Sequence, residues 1–351
     1  MSASRVAAIV SFRLGGFDGV AVEAAKWGWA LEQLGFSVRT VAGEGPVDHL
    51  IPGLAAGVGL NGVDPPPIDS SALERALEGA DLVVVENVLS LPLNPAAARA
   101  LATQLRGRPA ILRHHDLPWQ RDHFKACPPP PQDPAWRHVT INEHSRRELE
   151  ERGIPATTIA NAFDPHPRAG DRDSTRTAMG VTDDRDDWLV VQPTRAIARK
   201  GVPAGLALAE ALGATYWLLG PAEEGYGAEL ARLLDAATVP TRHAPIARIE
   251  DAYAASDVVV FPSLEEGFGN PPVEASLHRR PVAVGPYQVG RELAAVGFRW
   301  LDVADHEAVR SFLRSPDTRL LDHNEHIART QFSLEQLPAR LFHLLLEAGW
   351  A

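Results

Sequence analysis

Val6-Ala-Ala-Ile-Val10 runs into Arg13-Leu-Gly-Gly-Phe-Asp-Gly19, then a helical pattern from Val20 to Leu34, a stop at Gly35 and a second apolar run, Phe36 to Ala42. A short run that is apolar at every position predicts a strand buried on both faces. The glycines predict a tight turn, and Val22, Ala25, Trp29 and Leu34 fall near one helical face. The order is strand, turn, helix, strand, which opens a βαβ unit.

The same alternation recurs along the chain. Asp81-Leu-Val-Val-Val-Glu86, Ala110-Ile-Leu-Arg-His114 and His138-Val-Thr-Ile-Asn142 read as further strands. Continuous Val/Ile/Leu runs separated by helical segments predict a parallel sheet covered on both faces. Asp164 to Asp173 is polar and proline-rich, and past it the alternation restarts with Trp188 to Gln192, Thr215 to Leu219, Val258 to Phe261 and Pro281 to Val284. Pro65-Pro-Pro67 and Cys127-Pro-Pro-Pro-Pro131 read as loops, because strands resume after each. From Phe332 to Ala348 the leucines keep helical spacing, Pro338 kinks or restarts the helix, and Gly349 ends it. The expected architecture is α/β: two doubly wound parallel-sheet domains facing a central cleft, residues 1–165 and 166–331, with a terminal helix over 332–351. In such sheets ligands bind at the carboxyl ends of the strands.

Composition removes several functions. The 351 residues carry 45 acidic and 34 basic side chains, a net charge of -11, and only three of the cations are lysines: Lys26, Lys125 and Lys200. A nucleic-acid or anionic-membrane binder needs a broad cationic surface, which this balance does not supply. One cysteine, Cys127, rules out an internal disulfide and a thiolate-rich zinc site. No apolar run reaches the roughly 18 residues of a membrane span. Met1 to Arg5 has no signal-peptide pattern, so a cytoplasmic location is expected.

Four constellations could carry chemistry. Phe261-Pro-Ser-Leu-Glu-Glu-Gly-Phe-Gly-Asn-Pro-Pro-Val-Glu274 leaves a strand, passes two glycines and starts a helix, with Asn270 a suitable N-cap and Pro271 a suitable first residue. The helix start would offer N–H groups to a phosphate or to sugar hydroxyls. Glu274 would sit in the first turn and Glu266 in the loop, a pair suited to hydroxyl groups. A capped helix with dipole-favoured acids, or a glycosidase carboxylate pair, fits the same letters. Gln192-Pro-Thr-Arg-Ala-Ile-Ala-Arg-Lys-Gly201 follows a strand and gathers Arg195, Arg199 and Lys200, a natural diphosphate ligand set; a solvated charge cluster is the plainer reading. The turn Gly15-Gly-Phe-Asp-Gly19 lacks the G-x-G-x-x-G spacing of nicotinamide binding, and either packs strand on helix or lets backbone N–H groups approach a substrate. His114-His-Asp116 ends a strand at the ligand side of its domain, as do Glu86 and Asn87. No histidine and carboxylate set has metal spacing, and no nucleophile elbow or Walker lysine is present.

Together these segments resemble the retaining family-4 glycosyltransferases of the GT-B fold. The resemblance rests on Glu266-x7-Glu274, on Arg195 and Lys200 at the family's spacing, on the lead-in Ala255-Ser-Asp-Val-Val-Val-Phe-Pro-Ser263, on the double glycine and on His115-Asp116. It implies that Glu274 binds the ribose, that Glu266 lies near the donor sugar, and that Arg195 and Lys200 hold the diphosphate as it leaves. It further implies that N–H groups around Gly267, Phe268, Gly269 and Asn270 contact the donor, that Gly15 and Gly16 line the reaction centre, and that His115 binds the sugar near its anomeric carbon. The spacing favours Glu266 over Glu265. Asp18, Glu86, Asn87 and Asp116 become candidate acceptor-side residues, and the terminal helix crosses back to the N-terminal domain. The resemblance implies no metal and no cofactor beyond the nucleotide-sugar co-substrate. Asp171-Arg-Asp173 has D-x-D spacing but lies in the expected linker.

Glu86-Asn-Val-Leu-Ser-Leu-Pro-Leu-Asn94, His114-His-Asp116 and Gln192-Pro-Thr-Arg195 also resemble the mannosylglucosylglycerate-synthase-like branch, which implies GDP-mannose as donor and a small acceptor. Asn270, where leucine is common, and Pro193-Thr194, where valine-glycine is common, depart from the pattern beside the donor site. The competing readings are a GT-B sugar-nucleotide epimerase, a phosphorylase, a non-catalytic sugar-nucleotide-binding protein and, lacking its glycine fingerprint, a nicotinamide oxidoreductase.

Overall fold

The computed structural model describes residues 5–16, 18–57, 64–121, 124–182 and 187–351. Met1 to Ser4 and Phe17 of the glycine turn lie outside the described residues. The chain divides into two compact units, Met1–Ala162 with Leu334–Ala351, and Phe163–Ser333. The N-terminal unit is built on seven strands: β1 (Arg5–Arg13), β2 (Phe36–Glu44), β3 (His49–Leu50), β4 (Leu82–Glu86), β5 (Ala110–His114), β6 (Trp136–Thr140) and β7 (Ala156–Thr158). All pair in parallel, in the order β3-β2-β1-β4-β5-β6-β7. The C-terminal unit has β8 (Leu189–Gln192), β9 (Thr215–Leu218), β10 (Thr241–His243), β11 (Val258–Phe261), β12 (Val282–Val284) and β13 (Leu301–Asp302), parallel in the order β10-β9-β8-β11-β12-β13.

This order fixes where a ligand fits. In the first sheet the chain winds outward from β1 through β2 to β3, then returns to β4 on the other side of β1. In the second it winds from β8 to β10, then returns to β11 beside β8. The crevice at each reversal, outside the carboxyl ends of the two central strands, is left open by helices that diverge to opposite faces. The segments after β1 and β4, and after β8 and β11, are those four crevice walls.

Several expectations shift in detail. The domain boundary moves from 165/166 to between Ala162 and Phe163. The Phe163 N–H donates to Phe332 O at 2.7 Å, Phe163 bridges to Ser333, and its ring stacks on Phe268, so the chain joins the second core at that residue. The expected linker is therefore inside the C-terminal unit. There the Asp171 carboxylate accepts from Ser174 N to cap the helix Arg172–Met179, which gives Asp171-Arg-Asp173 a structural role. β6 runs over 136–140, two residues before the expected 138–142, because the Asn142 side chain caps the next helix.

The first helix, Gly19–Gln33, buries Ala21, Glu23, Ala24, Trp27, Gly28, Ala30 and Leu31, whereas Trp29 is exposed. It is apolar nearly all round, so periodicity alone chose the wrong face. The C-terminal segment forms a short turn, Leu334–Gln336, and a helix, Leu337–Glu347, with Pro338 in its first turn, where its missing N–H costs nothing. Leu337, Leu341, Leu344 and Leu345 are buried with Trp27 and Leu31 in the N-terminal unit, each contributing about 1.5–3 kcal/mol.

Candidate active site

In the C-terminal unit, two motifs 66 residues apart meet at the β8/β11 crevice. After β8 the buried Gln192 donates to Lys200 O at 3.0 Å and accepts from Tyr216 Oη at 2.7 Å, which fixes the loop backbone. Gly201 then turns the chain at φ 65 into the helix Val202–Leu212. A Cβ there would meet Pro262 O at 2.2 Å, so the two loops pack closely only with glycine. The close approach sets Lys200 Nζ 2.5 Å from Glu266 Oε1, with side chains 11% and 9% exposed. Arg199 Nη1 donates to Glu265 O at 2.8 Å and lies 3.4 Å from Glu266 Oε2. Burial lowers the Lys200 pKa, and Arg199 adds to this, while Glu266 opposes both.

Arg195 stands apart from this cluster. Its Nη1 pairs with Glu223 Oε2 at 2.6 Å, both about one-third exposed. Sequence reasoning missed Glu223, which lies 28 residues downstream in the loop after β9 and carries no local signal.

The helix at the end of the acidic motif differs from the expectation by one residue. Its N-cap is Gly269, at φ 101, and Asn270 is the first helical residue. Glu274 is thus in the second turn, and Pro271 and Pro272 occupy early positions that carry no N–H. Two of the donors expected at the helix start are absent. The helix end therefore offers few N–H groups, while Arg199 and Lys200 stand beside it on the loop after β8. Glu274 Oε2 accepts from the buried Tyr253 Oη at 2.6 Å. Burial raises the Tyr253 pKa well above its usual range, and Glu274 adds to it, so the phenol is a permanent donor that orients the carboxylate. The Phe268 ring turns inward, stacking on Phe163 and meeting Phe332 edge-on, which leaves only its backbone for a ligand.

In the N-terminal unit, Gly15 and Gly16 follow β1 as expected. A Cβ on Gly15 would strike Pro46 at 2.6 Å, so this glycine serves packing, while a Cβ on Gly16 would meet nothing closer than Asp18 Oδ2 at 3.4 Å. Asp18, a candidate acceptor-side residue, caps the first helix through Val20 N and Ala21 N and pairs with Arg13 at 3.1 Å. Asp116 pairs with Arg121 at 2.7 Å. Asn87, at φ 60, is the hinge between the strand ends: its Oδ1 accepts from His115 N at 2.8 Å and Asp116 N at 3.4 Å.

Glu86 is fully buried. His115 Nε2 lies 2.6 Å from its Oε2, and Arg113 Nη1 lies 3.3 Å from its Oε1. Arg113 also pairs with Glu23 at 3.3 Å, which holds Lys26 at 2.5 Å, and covers the Trp27 ring at 4.5 Å. Burial raises the Glu86 pKa, but Arg113 and His115 outweigh it, so the carboxyl titrates below its usual range. Glu86 is an anion that orients His115 through Nε2, leaving Nδ1 as the ring's other polar edge. Neither Glu23 nor Arg113 was singled out from sequence, although an acid on an apolar helix and an arginine in an apolar strand are both visible anomalies. Behind them Ser90 Oγ, His114 Nδ1, His114 Nε2 and His138 Nδ1 form a buried chain with links of 2.5 and 2.9 Å.

Two parallel α/β units with charged loops at their reversal points define the GT-B class. Residues 202–311 match the family model for glycosyl transferases group 1. Mannosylglucosylglycerate synthase from Petrotoga mobilis is 25% identical over 96% of this chain and 96% of its own. The enzyme of that name from Thermotoga maritima is 23% identical over 94% and 97%. Among solved structures, sucrose-phosphate synthase from Thermosynechococcus elongatus superposes with a TM-score of 0.75 at 15% identity, over 98% of this chain and 99% of that one. Anabaena HepE, in complex with UDP and glucose, gives 0.74 at 16%, over 98% and 100%. The chain has the GT-B fold and is a glycosyltransferase, with residues 202–311 similar to glycosyl transferases group 1. Among the described residues no helix is long and apolar enough to cross a membrane.

Proposed function

We propose that the protein is a retaining, metal-independent glycosyltransferase that moves a hexose from a nucleotide-diphosphate sugar to a small-molecule or glycoside acceptor. The observation that carries this reading is the buried Lys200–Glu266 pair, flanked by Arg199, at the β8/β11 crevice. Breaking a sugar–phosphate bond develops negative charge on the departing diphosphate. Cations already fixed in place stabilise that charge more in the transition state than in the ground state. Lys200 and Arg195 serve as those cations, filling the role a metal ion plays elsewhere. Glu274, oriented by Tyr253, accepts from the ribose hydroxyls, and Glu266 accepts from the donor sugar once Lys200 has turned to the phosphate.

Within the N-terminal unit, Gly16 is an approachable backbone position and His115 a hydrogen-bonding edge, the two groups that the resemblance assigns to the reaction centre and the sugar. Same-face attack, with the leaving phosphate taking the acceptor's proton, needs no protein nucleophile. GDP-mannose is our preferred donor, as the motif resemblance implies, and mannosylglucosylglycerate synthases match 96% and 94% of this chain; HepE, solved with UDP-glucose, makes UDP-glucose the second. The test is to incubate the protein with GDP-mannose, UDP-glucose and ADP-glucose, with chelator and without, with glycerate and glucosylglycerate as acceptors, and to assign product anomers by NMR. Transfer with retained configuration, undiminished by chelator, is expected. No consumption of any donor would overturn the reading, and inverted product would overturn the retaining mechanism.

A further inference from the structure

Tyr287 lies in the segment after β12, and its ring is wedged where it has no freedom to turn away. Its edge meets Phe261 with centroids 5.4 Å apart. A Cβ on Gly269 would lie 2.5 Å from Tyr287 Oη, and one on Gly290 would lie 2.8 Å from Cε1. The residue is 1% exposed, and its hydroxyl has no hydrogen-bond partner among the described residues. Ser263 Oγ and Arg199 Nε, on the two loops that meet at Glu266, are likewise buried without a partner. Gly269, three residues after Glu266 in the same loop, thus brings that loop against the Tyr287 hydroxyl, and burial and the charge of Glu266 both raise the Tyr287 pKa. Phe261 touches both ends of the cluster, since Lys200 Nζ sits 5.7 Å from its centroid.

A buried hydroxyl without a partner destabilises a fold, and phenylalanine would fill the same space without that cost. Such a group persists where another state of the protein uses it. Glu266 has such a second state, because a diphosphate that captures Lys200 removes its shortest contact. We propose that Tyr287 is a positioning residue whose hydroxyl becomes the partner of Glu266 when a nucleotide diphosphate draws Lys200 away. The proposal rests on the diphosphate role of Lys200 given above. The Tyr287 proton then satisfies Glu266 and aims its second oxygen at the donor sugar.

The experiment measures binding of UDP, GDP and ADP to the full chain by calorimetry, for wild type, Tyr287→Phe, Glu266→Gln and the double variant, with the unliganded Tm of each. Tyr287→Phe is expected to keep or raise the Tm while weakening the nucleotide that wild type binds by on the order of tenfold, the loss of one hydrogen bond to a charged group. In the Glu266→Gln background the same change is expected to have an effect within about twofold, since the two act as one unit. A lowered Tm, wild-type affinity in Tyr287→Phe, or an undiminished loss in the Glu266→Gln background would each overturn the proposal. Wild-type protein that binds none of the three nucleotides overturns the diphosphate reading and this proposal with it, and that result is visible before any variant is made.

Discussion

Replacing Lys200 by methionine keeps most of the side-chain volume and removes the charge. At 2.5 Å from Glu266 Oε1 the ammonium contributes a gross attraction of about 6–7 kcal/mol at an effective dielectric near 20. The two groups are about nine-tenths buried, so several kcal/mol of desolvation per ion offsets most of that. Removing one partner does not recover the other's desolvation, and the usual cost is about 3–5 kcal/mol. Arg199 remains 3.4 Å from Glu266, which places the expected loss at the low end, near 3 kcal/mol. For a unit of this size that lowers Tm by about 6–12 °C.

The catalytic loss is separate. A cation aimed at developing charge contributes about 2.7–4 kcal/mol, so turnover should fall by about 10²–10³. Initial rates of donor consumption and thermal unfolding, measured on Lys200→Met and on Lys200→Met with Glu266→Gln, separate the two effects. In the double variant no buried carboxylate is stranded, so Tm should return to within a few degrees of wild type while turnover stays low. Lys200→Met retaining turnover within about threefold of wild type would refute the diphosphate role. Activity that recovered together with Tm in the double variant would show that Lys200 matters only to folding.

Glu223→Gln frees Arg195 from a pair that is one-third exposed, so the gain is small; calorimetry with GDP or UDP should show affinity rising about two- to fivefold, more at low salt, and a fall would contradict the role given to Arg195. His138 is buried with its pKa lowered from 6.5 to about 4. The unfolded chain therefore takes up its proton first: stability is fully present above pH 6.5 and falls as pH drops toward 4, by about 3 kcal/mol for this group. Unfolding across that range should flatten in His138→Asn, and an equally steep loss in the variant would assign the effect to other groups. Gly269→Ala forces a φ of 101 on a residue with a Cβ and drives that carbon to 2.5 Å from Tyr287 Oη; a loss of about 2–4 kcal/mol is expected, partly recovered with Tyr287→Phe in thermal melts.

The sheet architecture was legible because its signals are local. Runs such as Leu82–Val85 and Val258–Phe261 are apolar at every position, and turn or loop residues punctuate each end. Short edge strands such as His49–Leu50, Thr241–His243 and Leu301–Asp302 carry no such signal, since two or three half-exposed residues have no period. In the site, Lys200, Glu266 and Glu274 were legible from motif spacing. Glu223, which pairs with Arg195, and Tyr253, which pairs with Glu274, were not, because topology joins residues that no sequence window contains. Glu86 falls at the expected strand end, but it faces His115 and Arg113 instead of standing ready for an acceptor. The buried Arg113, which makes Glu86 a support for His115, could have been suspected from one arginine inside Ala110–His114.

The net charge of -11 sharpens what kind of binding the site performs. A dianionic donor approaching this surface meets long-range repulsion, so steering cannot supply the affinity. At rest the crevice cations are already matched: Lys200 with Glu266, and Arg195 with Glu223. On the proposed reading, binding a diphosphate would be an exchange of counter-ions, in which two carboxylates are displaced and must find new hydrogen-bond donors. Glu223 is about one-third exposed and finds water. Glu266 is buried, so with Tyr287 taking one oxygen the other would need the donor's own hydroxyls, which a bare diphosphate lacks. On that reading, discrimination between a nucleotide sugar and its bare nucleotide would follow from the burial of one carboxylate. An acidic surface adds to that selectivity by disfavouring anions that offer charge alone.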